Sequence, residues 1–517
     1  MKRFTKSLAA LLTLALLLPL CVAAGDTSNL LDPNDPYTFT MFADWTWLEY
    51  DTFEGGIIQD WMREQTGITI DLTRTADPEQ LNLMIAGGAS DLPDLIAVSN
   101  MGKVSRLSDS DFTWPLQELI DLYIPEWQIP EVEKKLNAYF SGDGQYYMLK
   151  NEFNTIEELQ NARNIAPNFE TFHMRQDIYE ALGSPPLTNK DDFFALLAMV
   201  KEQYPDMAPL TINPRGYQGA IASLVGYDAY MPTDADGNFV FMFSAPGWRD
   251  MMLTLNELYR AGYLQAENFA YTSDEQTFQN LYAGRAFMVT HYNGNDEQTF
   301  TAKMRGAVPE GRIEQVPLLE GWNLTMPVSG WASMFITKNC SDPERAIKML
   351  YWAKQYENSI SLGNGVKGID WDFDETGSII ALDRRLQSYE DGTTTELYKQ
   401  MAFPMSADDF IVVNNGYYAT ATPQTRAIFD EAVRRANWSN ALSLSYPLSG
   451  TDIRFKYDDL YNMESEYFGR LGTAASEEEF NAIFDELMTE AEKAGLQEVN
   501  AYMTQAYIDV CELLGSK

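Results

Sequence analysis

The chain has 517 residues, 45% hydrophobic and 22% charged, a balance that fits a folded globular protein of about two to four domains. It carries 75 acidic against 37 basic residues, a net charge of −38, and a field of that sign repels phosphate backbones and anionic lipid headgroups, which argues against a nucleic-acid partner. Its two histidines, His173 and His291, are too few for a multi-histidine metal centre, and three cysteines cannot build a disulfide scaffold or a four-cysteine zinc site. No metal and no cofactor are expected.

Lys2, Arg3 and Lys6 precede an apolar run from Leu8 to Ala24 that Thr13 alone interrupts with a polar side chain, the pattern of an export signal over residues 1–24. Two kinds of processing compete at its end. Val22 and Ala24 suit cleavage before Gly25, while Cys21 stands where a bacterial lipoprotein carries its acylated cysteine, behind a poor lipobox, Leu18-Pro19-Leu20. The protein is therefore expected outside the cytoplasm, on the outer face of the membrane or the cell surface, free or lipid-anchored at Cys21. Cys340 and Cys511 remain, and they either pair or sit as buried apolar residues, the second being the default. Residues 25–36, rich in Asn, Asp and Pro, read as a tether.

Strand and helix signals then alternate. Tyr37 to Phe42 reads as a strand, Gly55 to Gln65 as a helix closed by Gly67, Ile68 to Leu72 as a strand, Pro78 to Ala86 as a helix and Leu92 to Val98 as a third strand. Short helices between strands imply a parallel sheet covered on both faces. Further on, Thr188 is expected to cap a helix, a second runs from Trp248 to Ala261 before Gly262, and Ser476 with Glu479 forms a capping box on a third that stops at Gly495. Asp-Gly turns at Ser141 to Met148 and Thr233 to Phe241 predict hairpins and hence mixed sheets.

Four segments carry a resemblance. They are LNLMIAGGASDLPDLIAVSN (Leu81 to Asn100), HMRQDIYEALGSPPLTNKDDFFALLAMVKEQYPD (His173 to Asp206), ITKNCSDPERAIKMLYWA (Ile336 to Ala353) and the tail from Gly469 to Tyr507. In order and spacing they resemble the extracellular solute-binding proteins of family 1, the long sugar-binding lipoproteins of carbohydrate ABC importers in Firmicutes. Ile178 and Tyr179 stand where that family usually has Trp-Leu. The resemblance implies an α/β, two-lobed, periplasmic-binding-protein-like fold of class II, with a hinge and mixed sheets flanked by helices. It also implies a ligand trapped between lobes that close on it. The expected division is residues 37–168 with 287–327 for lobe 1 and 169–286 with 328–517 for lobe 2. The implied partners are an oligosaccharide and the membrane subunits of an ABC permease, with the binding protein itself a monomer.

A pyranose offers an apolar C–H face and a rim of hydroxyls, so its site needs flat rings and a few directional polar groups. Asp44, Trp45, Trp47 and Tyr50 follow the first strand, at the end where open α/β sheets bind ligands, and each tryptophan there either caps the core or stacks on sugar. Ser99 and Asn100 end the third strand, and Asn151 with Glu152 follows the QYYMLK segment; loop hydrogen bonding is the simpler account of both pairs. His173 and Arg175 lie on an expected lobe crossing, where Asp177 is favoured as a structural partner of Arg175. His291, Tyr292 and Asn293 end another strand. Trp331 precedes a further one, and Trp371 lies among Asp370, Asp372 and Asp374, acids read as a solvated turn because Glu375 and Ala381 break the calcium-loop pattern. Each of these aromatic and imidazole rings serves ligand or core equally well at this level.

A second reading is a secreted glycoside hydrolase or lyase using paired carboxylates, which the 75 acids leave open. Against it, the chain has no G-x-S-x-G, no H-E-x-x-H, no P-loop and no eightfold β/α repeat. A surface scaffold is a third. The residues favour a non-enzymatic binding protein.

Overall fold

The computed structural model of the chain describes residues 30–213, 216–271, 273–292, 296–448 and 450–515. Two sheets organise it. The first joins β1 (Tyr37–Ala43), β2 (Ile68–Arg74), β3 (Leu95–Val98), β4 (Met148–Lys150) and, much later in the chain, β10 (Ser333–Ile336), in the order β2-β1-β3-β10-β4. β1 runs parallel to β2 and β3, and β10 runs antiparallel to β3 and β4.

Alternation of side chains explains why helices cover both faces. Phe39, Met41, Leu95, Ala97, Leu149, Met334 and Ile336 enter one core, while Phe42, Ile96, Val98, Met148 and Phe335 enter the other. Between β1 and β2 the helix Ile57–Thr66 ends at Gly67, whose φ of 73° places its N–H on the Arg63 carbonyl and starts the next strand at once.

The second sheet has the order β6-β7-β5-β8, from β5 (Glu170–Arg175), β6 (Ala208–Thr211), β7 (Ala286–Tyr292) and β8 (Ile313–Gln315). Its Phe172, Met174, Leu210 and Met288 pack under the helices Lys190–Gln203 and Pro246–Arg260, and the C-terminal helices Asp452–Gly472 and Glu477–Ala494 share that core. Connecting strands β9 (Thr325–Pro327) and β13 (Asn437–Ser439) pair in parallel, and β11 (Trp371–Phe373) with β12 (Ile379–Ala381) forms a separate hairpin.

Several expectations are corrected. β7 and β8 belong to the second sheet, so the chain does not rejoin the first sheet at 287. It returns at β10, and the helices from Pro343 to Asn364 then pack on the first core. Pairing between strands more than a hundred residues apart leaves no local mark in a sequence. The turn at Ser141 to Met148 forms, but only one strand follows it, and that strand pairs with β10 rather than with a hairpin partner. The turn at Thr233 to Phe241 closes a single bridge, Thr233 to Phe239, with the Asp234 carboxylate receiving the N–H groups of Asp236 and Asn238. Asn189, not Thr188, caps its helix by accepting from Asp192 N, while the Thr188 hydroxyl donates to the Asp192 carboxylate at 2.6 Å. Ser476 accepts from Glu479 N as expected, but the Glu479 carboxylate turns to Ala475 N.

Cys340 and Cys511 are both free thiols, Cys340 buried in the first core and Cys511 packed beside the second. Among the described residues no helix is long and apolar enough to cross a membrane, and no group of three or more His, Cys, Asp or Glu could hold a metal. The signal segment, Cys21 and Asn293 lie outside the described residues.

Candidate functional site

One edge of the first sheet gathers most of the chemistry. Parallel β1 and β3 finish there, β4 finishes there at Lys150, and β10 starts there, because Ser333 pairs with both Val98 and Lys150. Asp44, Trp45, Ser99, Asn100, Asn151, Glu152 and Trp331 therefore share one rim although up to about 290 residues separate them along the chain. The corresponding edge of the second sheet carries Glu170, His291 and Tyr292, since Glu170 pairs with Tyr292 and Thr171 with His291. The segment from Lys150 to Glu170 and the return from Gln315 to Ser333 both leave one of these edges and arrive at the other, so two connections join them.

At the first edge four rings meet. Trp45 lies 5.6 Å from Trp47, 5.5 Å from Trp331 and 5.7 Å from Phe403 between ring centroids. Trp47, Trp331 and Phe403 complete the cluster at 5.9 to 6.0 Å. Their exposures divide the labour. Trp45 is 2% exposed and anchors the cluster with its Nε1 donating to Ser99 Oγ at 3.1 Å, whereas Trp47 is 47% and Trp331 37% exposed. Two exposed rings side by side on a buried support form an apolar face on which a flat ligand can stack.

Asn151 aims Trp331. Its Oδ1 accepts from the backbone N–H groups of Trp331 at 3.2 Å and Ala332 at 2.7 Å, while Gly330 takes a φ of 78° that brings it against the Asn151 carbonyl, where a Cβ would collide. Glu152 follows at a φ of 48° and accepts from Trp331 Nε1 at 2.9 Å. Burial among protein atoms raises its carboxyl pKa although one flank stays open to the groove, and the Trp331 hydrogen bond opposes that rise.

The remaining candidates on this lobe have structural partners. Asp44 receives Lys103 Nζ at 2.7 Å in a buried pair that holds the loop after β1; its pKa is raised, burial outweighing the lysine. Asn100 caps the helix Met101–Leu107 by accepting from Gly102 N and Lys103 N. The Tyr50 hydroxyl donates to the Gln400 carbonyl, tying the loop to the segment that carries Phe403. Trp371 lies apart from the rim, 1% exposed, donating to the Gly365 carbonyl at 2.9 Å within its own small core, and the adjacent Asp370 pairs with Arg384 and accepts from the Tyr398 hydroxyl.

On the second sheet's edge, His291 Nδ1 lies 3.0 Å from Asn213 Nδ2, and Glu170 accepts from Gly219 N with burial pushing its carboxyl up to about 7. Tyr461, 49% exposed, and Glu464, which accepts from the Tyr217 hydroxyl at 3.1 Å, come from the helix Asp452–Gly472. His173 sits in mid-sheet with its Nε2 against the Tyr292 carbonyl at 3.2 Å. Arg175 is at the far end of β5, about 17 Å along the strand from Glu170, where Asp177 receives both its Nε and Nη2. The structure does not bring Arg175 or Trp371 to the rim.

Sequence reasoning missed Phe403, Asp408, Glu170, Tyr461 and Glu464. The first two lie in a loop, AFPMSADDF, with no distinguishing pattern, and the rest become neighbours of the rim only through the second sheet's pairing.

The bacterial extracellular solute-binding protein model matches residues 45–359. The chain belongs to that family. It is thus a solute-binding protein rather than an enzyme. Among solved structures it is similar to the alginate-binding protein AlgQ2, with a TM-score of 0.65 and 19% identity over 93% of this chain and 99% of that one. It is also similar to the Streptococcus pneumoniae binding protein FusA in complex with kestose, with a TM-score of 0.62 and 16% identity over 92% of this chain and 99% of that one. The S. pneumoniae N-glycan transport binding protein NgtS follows at 0.60 and 15% over 92% and 99%. Comparison with curated proteins gave no match.

Proposed function

We propose that this protein captures an oligosaccharide between its lobes and delivers it to an ABC importer. The observation that carries this reading is the exposed pair Trp47 and Trp331, held by the buried Trp45 and by Phe403 at the end of the first sheet where ligands enter α/β folds. Stacking on their faces suits the C–H side of a pyranose, and Glu152, Tyr461 and Glu464 supply acceptors and a donor for hydroxyls. The similar structures add support, since their names speak of alginate, N-glycans and kestose.

In this account lobe 1 is built on the first sheet and lobe 2 on the second. Residues 151–169, 316–332 and 437–441 act as the hinge. Asn151 and Trp331 lie at its rim, so closure changes the ligand's surroundings and the permease reads the closed form. The protein works as an exported monomer, and acylation at Cys21 competes with cleavage before Gly25; mass analysis of the cell-associated protein separates the two.

The test is a thermal-shift screen of the mature protein against oligosaccharides, with product analysis of each mixture. Ligand that binds only the folded form raises the midpoint by mass action. A rise with the sugar recovered intact supports the reading. Cleaved sugar supports the hydrolase alternative, and no rise across the panel rejects oligosaccharide cargo.

A further inference from the structure

Behind Trp331 and Phe403 the site gathers more carboxyl groups than cations. Asp408 is 1% exposed, lines a small pocket beside Phe403 and Gln400, and neither of its carboxylate oxygens accepts a hydrogen bond from another residue. Glu152 is its neighbour, donating its backbone N–H to the Asp408 carbonyl at 2.8 Å and holding its own carboxylate on the Trp331 indole. Around them stand Glu133, Asp409, Lys150 and Lys354, which makes four carboxylates against two ammoniums. Both lysines hydrogen-bond elsewhere, and only the Lys354 charge reaches Asp408, without a hydrogen bond. Lys354 reaches Asp409 Oδ1 at 3.2 Å and the Lys150 carbonyl at 3.3 Å, and Lys150 points to the Gly330 carbonyl at 3.4 Å. Among the described residues no Lys or Arg forms an ion pair with Glu152 or Asp408.

An unpaired buried carboxylate is costly, and its energy falls when a cation arrives. Ring faces beside carboxylates are also what an organic ammonium prefers, because the ring quadrupole attracts positive charge and the carboxylates neutralise it. We propose that the oligosaccharide taken by this cleft carries a free ammonium, as in a 2-amino-2-deoxy sugar without its acetyl group, seated between the Trp331 and Phe403 rings and the Glu152 and Asp408 carboxylates. This rests on the oligosaccharide reading and narrows it. Burial raises the carboxyl pKa of both Asp408 and Glu152, a shift that the charge of an incoming ammonium opposes.

The experiment compares the full mature protein against glucosamine oligomers and N-acetylglucosamine oligomers of equal length by calorimetric titration, at about pH 6 where a sugar amine is protonated. Tetramethylammonium serves as a cation that is not a sugar. The charged oligomer is expected to bind at least about tenfold more tightly, and D408N or E152Q to bring that ratio close to one. The two variants back each other up should one fail to fold, and circular dichroism reports which has. An acetylated or neutral oligomer that binds as tightly as the charged one overturns the inference and leaves the oligosaccharide reading standing. Tetramethylammonium binding with no sugar binding rejects the sugar and keeps the cation. Failure of all probes, or a charged-to-neutral ratio unchanged in both variants, overturns the inference.

Discussion

The indole N–H of Trp331 donates to Glu152 Oε1 at 2.9 Å, joining a ring before β10 to a carboxylate 179 positions earlier. The contact fixes the rim of the groove because both ends are themselves held. Asn151 grips the backbone of Trp331 and Ala332, and the Glu152 backbone is bonded to Asp408.

Asn151→Ala removes the acceptor of two backbone N–H groups, one of them fully buried at Ala332. The expected loss is about 1 to 3 kcal/mol of folding stability, together with weaker ligand binding as Trp331 loses its aim. Urea unfolding and a binding titration on the same sample check both. Unchanged stability would mean that those N–H groups find another acceptor.

Trp45 and Trp47 sit in one cluster but should respond differently to truncation. Trp45→Ala empties a 2% exposed site and is expected to cost about 3 to 5 kcal/mol, whereas Trp47→Ala, at 47% exposure, should cost about 1 to 2 kcal/mol. Denaturant midpoints of the two variants measure the difference. Equal losses would show that Trp47 is part of the core.

Gly330 cannot carry a side chain without moving the Asn151 carbonyl, and its φ of 78° strains any other residue. Gly330→Ala is therefore expected to lower both the thermal midpoint and ligand affinity, the second by about tenfold as Trp331 shifts. Wild-type affinity in that variant would separate Trp331 from the site.

Burial pushes Glu133 and Glu170 up to about 7 from 4.5. Each holds its proton more tightly folded than unfolded, so the associated stability is complete below the unfolded pKa and is lost as pH rises through about 7. Wild-type stability should fall between about pH 5 and pH 8, and Glu133→Gln with Glu170→Gln should flatten that fall. Urea unfolding at both pH values decides it; an equal slope in the variant assigns the pH dependence to other groups.

The sequence made the first sheet's parallel start legible because β1, β2 and β3 are near neighbours in the chain, with clear alternation and Gly67 as a stop. It also pointed to Trp45, Trp47, Asn151, Glu152 and Trp331 as residues at strand ends, which the pairing of β10 with β3 and β4 brings together. It did not reveal that β7 and β8 join β5, since that depends on pairing across more than a hundred residues. Nor did it reveal Phe403 and Asp408, whose place is set by packing of a loop with ordinary composition. For Trp371 the open choice between ligand and core is answered on the core side by its burial and its bond to Gly365, while the Arg175 and Asp177 pair forms as its residue types suggested.

The central claim is that the exposed rings form the ligand platform. The most direct measurement titrates the oligosaccharide giving the largest thermal shift into wild type and Trp47→Ala, with calorimetry and tryptophan emission read together. The account predicts saturable binding with changed emission in the wild type, and affinity at least about tenfold weaker in a Trp47→Ala protein that remains folded. Equal affinity in the two proteins would contradict it and move the ligand away from the tryptophan rim.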